Sequence, residues 1–280
     1  MPAATYGRIA VGAALGPVRR RPEALPEREL RRDGVAVDRR RLAAYDRVCG
    51  FRVSDTLPAT YPHVLAFPRA MELMAGRDFP FGVLGLVHVG NAIEQLRPLD
   101  AAEPLDIRVW AERLADHPRG RTVDVVAEAC ADGELAWRDR STYLHREGGG
   151  GGKDGGGKRA APPEPTAEWP VPGDVGRRYA AVSGDRNPIH MHGLAARLFG
   201  QPAAIAHGMW SKARCLAALQ AHLPPAFTVE VAFKLPLPLP STVAFSTSAG
   251  GGVRRFALHD ARSGRPHLEG TLSPSASPAA

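Results

Sequence analysis

Asp185, Asn187 and His190 stand close together in SGDRNPIH, and Gly208 follows in IAHGM. A carboxylate and an imidazole held near one another can share one water, which is what proton transfer to and from carbon requires. Asn187 is a good N-cap and Pro188 a good first helical residue, so His190 is predicted in the first turn of a helix that Gly200 ends. The helix dipole there disfavours imidazolium and keeps His190 a neutral base. A blander arrangement satisfies the same spacing equally well: Asp185 caps a turn through Ser183 and Gly184, and His190 lies on a solvated surface. Gly208 stands ahead of a second apolar periodicity, where unpaired backbone amides can receive a carbonyl oxygen and stabilise it as an enolate. A helix entry that merely needs a small residue reads the same way.

Three other chemistries are poorly supported. His190 and His192 form an HxH, but on a helix they point about 200° apart, no third ligand follows at a suitable spacing even with His207 considered, and no metal is expected. Ser183 lies in SGD rather than in a GxSxG strand-turn-helix. Residues 152–158 match GxxxxGK, but Arg159 replaces the Ser or Thr that would hold magnesium, and APPEPTAEWP cannot open a helix.

The elements that must position these residues fall into two similar runs. In the second, a helix pattern through Met209, Ala213, Leu216, Ala217 and Gln220 precedes an alternating strand with Phe227, Val229, Val231 and Phe233 on one face. Further strands are predicted near residues 242–248, 253–259 and 267–272, joined by turns too short for crossover helices and hence antiparallel. The first run repeats this order, with a helix near 64–74 and strands near 84–96, 105–110, 122–129 and 135–144. IEQLRPL at Ile93 echoes VAFKLPL at Val231. A long helix followed by an antiparallel sheet, twice over, reads as a duplicated α+β unit. Between the runs lies GGGGGKDGGGK at 148–158, continuing into a Pro-rich stretch and flexible by composition. The expected division is 1–146, a linker at 147–168, and 169–280. Residues 1–33 are rich in Arg and Pro and show no periodicity.

The 280 residues, 44% of them hydrophobic, suffice for a sizeable core. The formal charge of +7 is spread without an aromatic-basic stripe or reading helix, which argues against nucleic acid and suits an anionic substrate. Cys49, Cys130 and Cys215 form no disulfide framework, so a reducing cytosol is expected. Residues 9–15 are too short to span a bilayer and lack a basic n-region, and neither an export signal nor membrane association is expected.

SGDRNPIH followed by IAHGM resembles the hydratase-2 motif of the MaoC-like, R-specific enoyl-CoA hydratases and 3-hydroxyacyl-thioester dehydratases, and the whole chain looks like the actinobacterial double hot-dog type. The resemblance implies two curved antiparallel sheets, each wrapping a central helix, with a degenerate N-terminal half that supplies binding surface rather than chemistry. It implies Asp185 and His190 as the catalytic pair, Gly208 as the amide that binds the thioester carbonyl, Asn187 and Ser183 in support, and no cofactor. The activity implied is reversible hydration of 2-enoyl thioesters and dehydration of (3R)-3-hydroxyacyl thioesters, a lyase reaction of fatty acid metabolism, on acyl-CoA or an acyl carrier protein.

Leu65, Phe67 and Met71 are candidates for an acyl tunnel, though for any one of them plain core is the stronger reading. Lys212, Arg214, Arg177 and Arg178 are candidates for the substrate's phosphates. Three rivals stand beside this reading: a hot-dog thioesterase, a non-catalytic acyl-binding protein, and the dehydratase component of a fatty acid or polyketide synthase. A homodimer stays open, and acyl length and pathway lie beyond the sequence.

Overall fold

The computed structural model describes residues 21–147 and 162–275. The glycine-rich stretch at 148–158 and the first twenty residues lie outside them. Ten antiparallel strands form one continuous sheet in the order β1-β3-β4-β5-β2-β7-β10-β9-β8-β6. The N-terminal half contributes β1 (Leu30–Val35), β2 (Leu86–Gln95), β3 (Leu105–His117), β4 (Gly120–Ala131) and β5 (Glu134–Arg146). The C-terminal half contributes β6 (Ala167–Val171), β7 (Phe227–Phe233), β8 (Ser241–Gly250), β9 (Val253–Asp260) and β10 (Pro266–Pro274). The order is symmetric about the junction of β2 and β7, which pair from Gly90 opposite Ala232 to Gln95 opposite Phe227. Each half therefore places its first strand at the outer edge and its second at the junction, as a duplicated hot-dog unit requires.

Each half sheet packs its own long helix. Helix α2 (Tyr61–Ala75) lies on β3 and β4, and α6 (Gly208–Ala218) lies on β9 and β10. Strand β7 alternates inward and outward side chains, with Phe227, Val229 and Val231 buried and Glu230 and Ala232 exposed, whereas β4 is buried without a break from Val123 to Ala129. Trp137 is fully buried and donates from Nε1 to the Ala59 carbonyl at 2.7 Å, tying β5 to the turn before α2.

Two further helices, α1 (Arg39–Cys49) and α3 (Val175–Ser183), pack against each other ahead of the two central ones. Neither is among the elements expected from the sequence, although Leu42, Tyr45 and Cys49 of α1 and Val175, Tyr179 and Val182 of α3 recur at helical spacing and are buried. Strand β6 begins at Ala167, inside the segment read as linker. The single helix expected from Asn187 to Gly200 is two, α4 (Pro188–Met191) and α5 (Gly193–Leu198), because His192 takes an extended backbone at φ −146° and ψ 134°.

Candidate active site

The catalytic loop is built from a glycine stop. Helix α3 ends on Gly184, whose φ of 84° is left-handed and needs no side chain, with its amide donating to the Ala180 carbonyl at 3.0 Å. The chain turns sharply there, and the Asp185 amide donates to Ser183 Oγ at 3.1 Å. Asp185 Oδ1 accepts from the Asn187 amide at 3.1 Å, and Asn187 Oδ1 caps α4 by accepting from the Ile189 amide at 3.4 Å. Ser183 and Asn187 thus set the backbone that aims Asp185. Gly176 of α3 lies so close to α4 that any side chain there would run into the His190 carbonyl oxygen. Arg41 of α1 reaches across the halves, its Nε donating to the Val182 carbonyl at 2.7 Å and Nη2 to the Ser183 carbonyl at 3.3 Å.

His190 donates from Nδ1 to the Ile205 carbonyl at 2.8 Å, an acceptor that fixes the proton on Nδ1 and leaves the lone pair on Nε2. Burial holds its pKa below 6.5, with Asp185 opposing, so the ring is neutral at pH 7. His207 stacks on His190 at 3.7 Å between ring centroids and donates from Nε2 to the Asp185 carbonyl at 3.0 Å. Its pKa is pushed down to about 3 by burial and by His190. It is therefore a neutral spacer that ties the entry of α6 to the Asp185 loop.

Donor atoms of Asp185, His190 and His207 lie within 4.8 Å of one another. That span accommodates one water hydrogen-bonded to carboxylate and imidazole, which needs about 4.6 Å between the two for bonds of ordinary length. It is also the spacing of a cation site, made by His207 rather than by the HxH partner His192, which is exposed and stands outside the cluster. The two imidazoles stack face to face, 28° from parallel, so their in-plane lone pairs do not converge on one point as a metal's ligands must, and the arrangement fits a held water better.

Gly208 opens α6 behind His207, and the amides of a helix's first turn have no intrahelical acceptor. The ring of Phe233 sits where a Cβ at Gly208 would go, 3.0 Å from its ideal position. Space rather than backbone freedom requires the glycine. Asp185, His190 and Gly208 face one cavity of about 370 Å³. Its far wall comes from the other half, where His63, Phe67, Met71 and Met74 lie along one face of α2.

The remaining candidates divide. Phe67 and Met71 line the cavity, whereas Leu65 is buried in the core away from it. Lys212 is no phosphate ligand: it is fully buried, and Nζ donates to the carbonyls of Val229 at 3.1 Å and Asn91 at 3.3 Å and to the Asn91 side chain. Arg214 is occupied as well, its guanidinium lying 4.1 Å over the Trp169 ring. The sequence does not tell which face of α6 meets the sheet. Arg177 and Arg178 are exposed on α3, off the cavity wall. The basic residues on that wall are Arg119, Arg146 and Lys234, which no motif singled out because they come from three separate strand ends.

Comparison with known proteins agrees with this geometry. Residues 158–270 match the family model described as MaoC like domain. The chain is 38% identical over 272 residues to 3-hydroxyacyl-thioester dehydratase X of Mycobacterium tuberculosis, covering 95% of each. The crystal structure of that bacterium's HtdX superposes with a TM-score of 0.80 at 37% identity, covering 89% of this chain and 100% of the other. The fold alone is shared with a MaoC-like dehydratase from Phytophthora capsici, at TM-score 0.73 and 19% identity over 90% and 96% of the two chains. It is shared more distantly with a double hot-dog protein of M. tuberculosis, at TM-score 0.54 and 11% identity over 88% and 96%. With its motif, its duplicated sheet and a relative this similar over nearly its whole length, the chain belongs to the MaoC-like dehydratase family.

Proposed function

We propose that the protein is a hydro-lyase that interconverts (3R)-3-hydroxyacyl and 2-enoyl thioesters, with Asp185 and His190 as its catalytic pair and the Gly208 amide as its oxyanion donor. The observation that carries this is the convergence of all three on one cavity, with His190 fixed as the Nδ1–H tautomer. In hydration the thioester carbonyl accepts from the head of α6, which stabilises the enolate as it forms. A water held by Asp185 and His190 loses a proton to this pair as its oxygen adds to the β-carbon, and the pair returns a proton to the α-carbon. Dehydration is the reverse.

The acyl chain lies against Phe67, Met71 and Met74, and the phosphates of coenzyme A or a carrier pantetheine meet Arg119, Arg146 and Lys234 at the rim. The halves divide the labour, the C-terminal one holding the chemistry and the N-terminal one much of the substrate wall. The free cysteines Cys49, Cys130 and Cys215 suit a reducing cytosol, and among the described residues no helix is long and apolar enough to cross a membrane.

The deciding experiment follows the absorbance of the enoyl-thioester double bond with crotonyl-CoA and a longer 2-enoyl-CoA. Loss of the signal with the thioester intact is the expected result. Release of free thiol instead would make the protein a thioesterase.

A further inference from the structure

A second imidazole–carboxylate pair faces the same cavity from the opposite half, and the hydration chemistry leaves it unused. His63, in the first turn of α2, donates from Nδ1 to Asp139 Oδ2. Asp139, on β5, is buried at 2% exposure, and its other oxygen accepts from Asn91 Nδ2 and from Ser141 Oγ. Asn91 lies on β2 and is oriented in turn by Lys212 of α6, which donates to Asn91 Oδ1. Burial lowers Lys212 to about 7 while Asp139 opposes the shift.

Every inward atom of this chain is satisfied, so the orientation of each member is dictated by the next. The last atom in line is His63 Nε2, which carries a lone pair on the cavity wall and has no hydrogen-bond partner among the described residues. Beside it His88 lines the same wall, its ring 6.4 Å from His63 and nearly parallel. His88 Nε2 is buried and unpartnered among the described residues, and burial drives the ring's pKa down to about 3, so this imidazole is neutral.

Fully burying a lysine and an aspartate is costly, and well-packed apolar side chains serve stability as well or better. The neighbours Val64, Phe67, Met71 and Met74 are what a plain alkyl chain asks of a wall. A polar patch inserted there is useful only to a substrate that is polar at the same place. We propose that His63, held by Asp139, Asn91 and Lys212, is a specificity residue that accepts a hydrogen bond from a hydroxyl on the acyl chain beyond C3. The protein would thus favour oxygenated acyl thioesters over unsubstituted ones. This rests on the cavity being the acyl-thioester site proposed above.

The test compares 2-decenoyl-CoA with the set of positional isomers that carry one added hydroxyl at successive carbons from C4 onward, measuring kcat and KM for wild type, His63→Leu and His63→Gln. Wild type should turn over at least one hydroxylated isomer with kcat/KM about tenfold above the plain substrate, mainly through KM, the weight of one well-made hydrogen bond. His63→Leu should bring that ratio to about one or below, and His63→Gln, whose amide oxygen can reach the same place, should restore part of it.

Asp139→Asn gives an independent arm that does not remove the ring. The new amide would donate to His63 Nδ1, move the proton to Nε2, and shift preference from the hydroxyl to an oxo group at the same carbon. A wild type with no preference for any isomer overturns the proposal, and so does a preference that survives His63→Leu. A folded His63→Leu whose kcat falls about a hundredfold on all substrates overturns it too, in favour of a second acid–base role. If wild type hydrates no enoyl thioester, the functional reading fails instead. Equilibrium binding of saturated decanoyl-CoA and its hydroxylated isomers to wild type and His63→Leu then still decides the subsite.

Discussion

Helix α1 of the N-terminal half and α3 of the C-terminal half both end on a left-handed glycine, Gly50 and Gly184, each at φ 84°, yet Phe51 follows one and Asp185 the other. From there the halves diverge. The C-terminal half inserts α4 and α5, carries His190, and opens its long helix on Gly208. The N-terminal half runs through an extended loop and opens its long helix on Tyr61 and Pro62, both buried. Proline brings no amide, so the head of α2 has lost a donor that the head of α6 retains. The hot-dog scaffold alone is therefore not the proposed site; what the C-terminal half adds is a carboxylate after the glycine stop, an imidazole on the short helix α4 and an open helix head.

The largest expected effect tests that contrast directly. Asp185→Asn is nearly isosteric, keeps an acceptor for the Asn187 amide, and should leave the fold intact while lowering hydration by about 10² to 10⁴-fold, the weight of a positioned acid–base group. Steady-state rates on crotonyl-CoA, with circular dichroism as the fold control, check it. Turnover within a factor of two or three of wild type would move the chemistry elsewhere in the cavity. A smaller effect should follow at the helix head. Gly208→Ala places a methyl against the Phe233 ring and should lower kcat/KM about tenfold, less than the 10² to 10³ lost when an oxyanion donor is removed outright. Phe233→Ala added to it should recover part of the loss, and strict additivity of the two changes would show that the steric account is wrong.

The pH profile sharpens the comparison next. Burial lowers the pKa of His190, so the neutral base persists at mildly acid pH. The hydration rate at limiting substrate should be flat near neutrality and fall only as pH drops through a midpoint below 6.5. His207 and His88, both at about 3, contribute nothing in that range. An acid limb centred above 6.5 would assign the essential base to another group.

The long helices and the strands of both halves were legible because burial imposes periods of 3.6 and two on their apolar residues. The loop from Ser183 to His190 was legible as a motif, since its turn and cap are tied to fixed spacings around Gly184 and Asn187. What stayed hidden is long-range or directional. Strand β6 carries Pro170 within a Pro-rich run and pairs along one side, with β8. The His192 break between α4 and α5 leaves no composition signal. Lys212 reads as a surface cation until the sheet junction is known, and the chain from Lys212 to His63 joins residues 63, 91, 139 and 212, which the β2–β5 and β2–β7 pairings bring together. Gly176, needed for the approach of α4, looks like any helical glycine in the sequence.

The smallest expected effect concerns a carboxylate that the N-terminal half buries without using. Asp46 of α1 is fully buried, and among the described residues neither of its carboxylate oxygens has a side-chain hydrogen-bond partner, the Ser54 backbone being the polar group that acts on it. Burial raises its pKa from 3.8 to about 6, with Arg47 and the nearby Ser54 backbone opposing only in part. The folded state thus binds this proton more tightly than the unfolded chain does, so its ionisation counts against folding. That penalty is absent below 3.8, grows as pH rises toward about 6, and is complete above it. Asp46→Asn removes the charge and should raise Tm at pH 7 while converging with wild type near pH 4, and it should leave hydration kinetics unchanged because the side chain does not face the cavity. Thermal melts across that range check the sign. A lower Tm for the variant at pH 7 would mean that Asp46 is ionised to advantage, and that the N-terminal half holds a favourable carboxylate where this reasoning finds only an uncompensated one.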